Sequence, residues 1–84
     1  MYVYNPQGVC SKKMEIELDA NNKIEEIKIF GGCQGNLTGI ASLCKGQDAK
    51  EVIERLQSIT CGSRLTSCPD QLSIALKQAL ENNI

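Results

Sequence analysis

No histidine and no tryptophan occur among the 84 residues of this chain, and phenylalanine occurs once. The aromatic rings on which a single-strand nucleic-acid binder stacks bases are therefore scarce. An excess of one charge is lacking too. Nine basic residues stand against ten acidic ones, a net charge of −1 that argues against nucleic acid as the main partner. No segment approaches the ~20 apolar residues of a membrane helix, which argues against a membrane partner. Met1 to Val9 hold no basic residue and no apolar run long enough for the core of a signal sequence. The expectation is a cytoplasmic protein.

Internal repeats, linkers and low-complexity stretches are also missing, so residues 1–84 are expected to form a single small domain. A chain of this size buries only roughly 60–65% of its unfolded surface. Such domains often gain stability from a metal, a disulfide or a partner. The chain does have five cysteines. In the reducing cytosol, cysteine clusters are more often metal-binding or catalytic than disulfide-bonded, and an odd count fits a disulfide framework poorly.

The hydrophobic pattern changes period along the chain. Tyr2 to Tyr4 is a candidate edge strand, followed by a turn at Asn5-Pro6-Gln7-Gly8. Met14, Ile16 and Leu18 alternate with Glu15, Glu17 and Asp19, and Ile27 and Ile29 alternate with Glu26 and Lys28. A period of two marks strands with one wet face, here an antiparallel hairpin turning at Asn21-Asn22. Beyond Gly31-Gly32, Asn36 is a candidate N-cap, and Leu37, Ile40, Ala41 and Cys44 form one helical face that Gly46 closes. Asp48 with Glu51 signals a second cap, with Ala49, Val52, Ile53 and Leu56 as its face. A last helix buries Leu72, Ala75, Leu76, Ala79 and Leu80. The expected fold is α+β: a small antiparallel sheet, the hairpin plus the edge strand, with three helices packed on one face.

Cys68 stands where that last helix begins. Pro69 suits a first helical turn, and Ser67 with Asp70 fits a capping box. The positive end of the dipole and the free N–H groups there favour a thiolate. Cys10 precedes the hairpin and Cys33 follows it, so the two fall at one end of the hairpin. Cys61 lies in the loop before the last helix. Together, Cys10, Cys33, Cys61 and Cys68 are candidate ligands of a four-thiolate site for Zn²⁺ or, alternatively, an iron–sulfur cluster. The other reading is that they are small buried thiols, since free cysteine is often buried. Their spacings of 23, 28 and 7 residues match no zinc-finger pattern. Cys44 shares the apolar stripe and is assigned to the core. Weaker candidates are Gly31-Gly32-Cys33-Gln34-Gly35 as an anion cradle, Arg64 as the partner of a thiolate or phosphate, and Asp70 as a first-turn charge favoured by the dipole.

The string Thr66-Ser67-Cys68-Pro69-Asp70 resembles the signature of the TSCPD domain family. The agreement extends to Gly8-Val9-Cys10-Ser11, Gly31-Gly32-Cys33-Gln34-Gly35-Asn36 and Cys61-Gly62. That family includes small stand-alone proteins and the C-terminal segment of adenosylcobalamin-dependent (class II) ribonucleotide reductases. The resemblance implies a metal-binding or redox-active cysteine module, with a ribonucleotide reductase as the implied partner. The chain is too short to hold the reductase's own radical barrel, nucleotide pocket and cobalamin site. The layout is also similar to that of the NifU/IscU-type iron–sulfur scaffolds, with Cys10, Gly32-Cys33 and Cys68 on their three cysteine positions. Lys12 replaces their Asp, Ser67 replaces their His, and Cys61 has no counterpart, so this second resemblance implies a bound metal rather than cluster assembly.

Three functions follow as expectations. The first is a four-thiolate metal module with no catalysis of its own. The second is a thiol redox module in which Cys61 and Cys68 pass electrons to a ribonucleotide reductase, Cys68 being the attacker. The third is a plain interaction domain.

Overall fold

The structure, a computed structural model, describes residues 1–9, 11–32, 34–59 and 66–83. The alternating stretches form strands β2 (Ser11–Leu18) and β3 (Ile24–Gly31), paired antiparallel with Met14 opposite Ile29 and Ile16 opposite Ile27. Strand β1 (Tyr2–Tyr4) adds to the other side of β2, with Tyr2 opposite Ile16 and Tyr4 opposite Met14. The sheet order is β1-β2-β3, so both outer strands are edges. The register shifts twice, at Lys12 in β2 and at Glu25 in β3. Each shift leaves one extra residue on its strand and adds local twist. The hairpin turns at Asn22, which adopts φ 62°, while the Asp19 carboxylate accepts the N–H groups of Asn21 at 2.8 Å and Lys23 at 2.9 Å.

Three helices follow: α1 (Gln34–Cys44), α2 (Ala49–Leu56) and α3 (Cys68–Asn82). The cap signature at Asp48 is realised, its carboxylate accepting the Glu51 N–H at 3.3 Å. The expected start of α1 needs correction. Asn36 lies inside the first turn, not at the cap, because Gly31 and Gly32 (φ +80° and +72°) have already reversed the chain. Gly46, at φ +82°, ends the α1 segment as expected, and its N–H bonds back to the Ile24 carbonyl at 2.7 Å.

Helix α1 packs on β3, α3 packs on β1 and β2, and α2 packs on α3. Met14, Ile16, Ile24 and Ile27 of the sheet meet Cys44, Val52, Ile53, Leu72, Ala75 and Leu76 in one core. Each fully buried leucine there contributes roughly 1.5–3 kcal/mol. The opposite sheet face carries Glu15, Glu17, Glu26 and Lys28, half-buried or exposed. The fold is thus α+β, a three-stranded antiparallel sheet with three helices. Among the described residues no helix is long and apolar enough to cross a membrane.

Candidate functional site

The start of α3 is built from short polar side chains that satisfy one another. Ser67 is the N-cap, extended at φ −147° and ψ 170°, and its Oγ accepts the Asp70 N–H at 3.2 Å. The same hydroxyl donates to the Ile59 carbonyl at 2.6 Å. Asp70 does more than the first-turn charge expected of it. Its carboxylate accepts the Ser58 N–H at 2.6 Å and the Thr66 hydroxyl at 2.5 Å. Serine 58 itself sits at φ 65°, a conformation non-glycine residues rarely adopt. These bonds join the chain just beyond α2 to the start of α3, on either side of residues 60–65.

The network continues inward. Thr66 Oγ1 accepts from Gln71 Nε2 at 3.0 Å. Gln71 is only 6% exposed, and its Oε1 accepts the Tyr4 hydroxyl at 2.8 Å and the Gln7 N–H at 3.0 Å. One helix face further along, the Tyr2 hydroxyl donates to Gln78 Oε1. Burial pushes the Tyr4 phenol up from its ordinary range, and Tyr2 and the Asp70 carboxylate add to the effect. Gln71, Gln78 and the two tyrosine hydroxyls were not legible as a set in the sequence. The one local signal is that Gln71 and Gln78 lie seven residues apart, two helical turns, beside the buried stripe of α3.

Cys68 is the first residue of α3 and is half-buried. Its Sγ lies 3.4 Å from the Oγ of Ser11, which is 3% exposed. Ser11 in turn pairs with Gly31 in the sheet. At Gly8, φ is +70° and a Cβ would lie 3.4 Å from the Thr66 methyl. Ser11, the chain neighbour of Cys10, thus touches Cys68 at the open end of the hairpin, and its strand partner Gly31 lies two residues before Cys33. Cys10, Cys33, Cys61 and Arg64 themselves lie outside the described residues, as does Cys33 at the centre of the candidate anion cradle. Among the described residues, no three Cys, Asp or Glu side chains are grouped so as to hold a metal ion.

The sequence motif and the folded start of α3 thus coincide, and the likeness extends far beyond them, because the family model for the TSCPD domain matches residues 2–80. The chain belongs to the TSCPD domain family. No curated protein and no solved structure matches it. In this TSCPD domain the five signature residues divide by role. Thr66, Ser67 and Asp70 tie the start of α3 to Ser58 and Ile59 by hydrogen bonds, and Pro69 occupies the first turn, where no N–H partner exists to lose. Cys68 presents sulfur to the hairpin.

Cys44 behaves as its apolar stripe implies. It is 6% exposed within the core, and burial pushes its thiol up from the ordinary range. In the native TSCPD domain we expect Cys44 to resist alkylation at neutral pH until the fold opens. The unfolded chain loses this proton at lower pH than the native one, so native stability falls as pH rises past the ordinary thiol range of ~8.5. Mass-spectrometric mapping of reagent uptake with and without denaturant checks the first point. Equal modification of Cys44 in both states contradicts it.

Proposed function

We propose that this TSCPD domain is a metal-binding module in which Cys10, Cys33, Cys61 and Cys68 supply four thiolates. The observation that carries the reading is the 3.4 Å approach of the hydroxyl of Ser11, the chain neighbour of Cys10, to Cys68 Sγ, with Gly31, two residues before Cys33, as the strand partner of Ser11. The donor chemistry fits. A thiolate at the first residue of α3 meets the positive end of the helix, and the buried Ser11 hydroxyl can donate to it. A four-sulfur set suits Zn²⁺, or an iron–sulfur cluster as the alternative, and leaves no open position for catalysis. The module would serve as an accessory to a ribonucleotide reductase or another protein, in keeping with where such domains occur.

A second reading is favoured by the bonds from the Ser58 N–H to Asp70 and from the Ser67 hydroxyl to the Ile59 carbonyl, which tie together the two flanks of the segment that carries Cys61. In that reading Cys61 and Cys68 reduce a disulfide of the reductase. They give up two electrons and two protons by thiol–disulfide exchange and remain as a disulfide.

Elemental analysis and an absorption spectrum of protein purified without oxygen separate the two. We expect about one equivalent of zinc, or of a cluster with its sulfide and visible absorption, in wild type and in Cys44→Ser. Cys68→Ser should hold little. Protein that carries no metal, and takes up none when offered zinc or iron with sulfide, ends the metal reading. A disulfide joining residues 61 and 68 after oxidation, in such metal-free protein, supports the second.

A further inference from the structure

The free edge of the sheet is long and only partly covered. At the start of β3, Ile24 bonds to the loop after α1, through its N–H to Gln47 at 2.9 Å and its carbonyl to Gly46 at 2.7 Å. From Glu25 to Gly31, the backbone makes no backbone hydrogen bond to another described residue outside the pairing with β2. Beside this edge runs an apolar groove lined by Ile27, Ile29, Phe30, Leu37 and Ala41. Phe30 is 41% exposed on the outer face. An unpaired edge of this kind is a template for another strand.

The charges on the strand say which strand fits. Glu26 and Lys28 flank Ile27, and neither makes an ion pair among the described residues. Within its own sheet Glu26 stands opposite Glu17, a like-charge pairing that costs stability. An antiparallel copy of the same strand, centred on Ile27, sets Glu26 opposite Lys28 of the second copy and Lys28 opposite its Glu26. Each Glu26 then gains the cation it lacks. The same register places the second copy's Ile27 and Ile29 on the face that carries the groove and α1. We propose that β3 is the seam of a two-fold symmetric dimer of this chain, pairing with itself about Ile27.

A charge swap tests this by sedimentation equilibrium on the full chain over a wide concentration range. Wild type is expected to dimerise. Glu26→Lys is expected to weaken the dimer about tenfold or more, because two attractive cross-strand pairs become repulsive. That substitution also replaces the Glu17–Glu26 opposition inside the monomer by an attractive pair, so weakened association does not trace to a weakened fold. The double variant Glu26→Lys, Lys28→Glu restores both pairs and should regain most of the dimer. Wild type that stays monomeric throughout, or a dimer indifferent to Glu26→Lys, overturns the proposal.

Discussion

A strong chelator lowers the melting temperature of the wild-type protein by about 10 °C or more, and has almost no effect on Cys68→Ser. That is the expected result if the four cysteines hold the fold through a metal. Structural zinc in isolated fingers is worth roughly 10–16 kcal/mol of apparent folding free energy. A smaller share is expected here, because Met14, Ile16, Leu72 and Leu76 are fully buried in an apolar core besides the proposed site. Even ~2 kcal/mol moves a domain of this length by about 10 °C. Cys68→Ser starts lower, having lost the site. Cys44→Ser is weakened in its core yet still responds to chelator, which separates ligand from packing residue. Thiols must shed protons to bind metal, so affinity falls with pH, and acid near pH ~5 should act like the chelator. Calorimetric scans with metal content checked by elemental analysis decide. A wild-type melting temperature unchanged after confirmed metal removal refutes the claim.

Asp70→Ala should be the most damaging single change among the polar residues, costing about 2–4 kcal/mol. Two bonds to the carboxylate vanish, from the Ser58 N–H at 2.6 Å and the Thr66 hydroxyl at 2.5 Å. Bonds to charged acceptors contribute roughly 1.5–3 kcal/mol each, discounted here because the Ser58 side is exposed. The loss also leaves Thr66 free to turn from Gln71, which loosens the anchor of Tyr4 and Gln7. Asp70→Asn keeps an acceptor oxygen for one of the two donors and should lose about half as much. Urea titrations of both variants measure the difference. A loss for Asp70→Ala of no more than ~0.5 kcal/mol, the size of an ordinary surface change, would return Asp70 to the role of a simple dipole charge.

That contrast also marks how far the sequence could be read. Met14, Ile16, Ile27 and Ile29 announced the hairpin because their period is local, and the α3 stripe of Leu72, Ala75 and Leu76 did the same for a helix. The cap at Asp48 was legible for the same reason. The bulges at Lys12 and Glu25 were not read, although both charged residues fall in the inward slots of an unbroken alternation, in phase with Met14 and with Ile27. Asn36 looked like a cap in isolation, but the left-handed Gly31 and Gly32 set the helix start earlier. Ser67 with Asp70 was legible as a helix cap, but the further bonds of Asp70 and those of Gln71 were not, because their partners Ser58, Tyr4 and Gln7 come from elsewhere in the chain. The cysteine site was legible only as types and spacing. Of its four proposed ligands, Cys68 alone lies among the described residues.

The bonds that hold α3 to the strands also bear on the order in which the protein folds. The hairpin closes between near neighbours, and the loop after α1 returns to Ile24 over a modest span. Tyr4 and Gln71, by contrast, are 67 residues apart in sequence, Tyr2 and Gln78 are 76 apart, and Ser11 and Cys68 are 57 apart. Closing such separations costs the most chain entropy and is rewarded only once the intervening elements exist. The docking of α3 is therefore expected to be the late step. A chain emerging during synthesis can form its hairpin and first helices early, yet cannot bring the Cys68 sulfur beside Ser11 until Cys68, 57 residues further on, has been made. Native hydrogen exchange should show the same hierarchy, with the α3 amides opening together with the seam to β1 rather than with the hairpin.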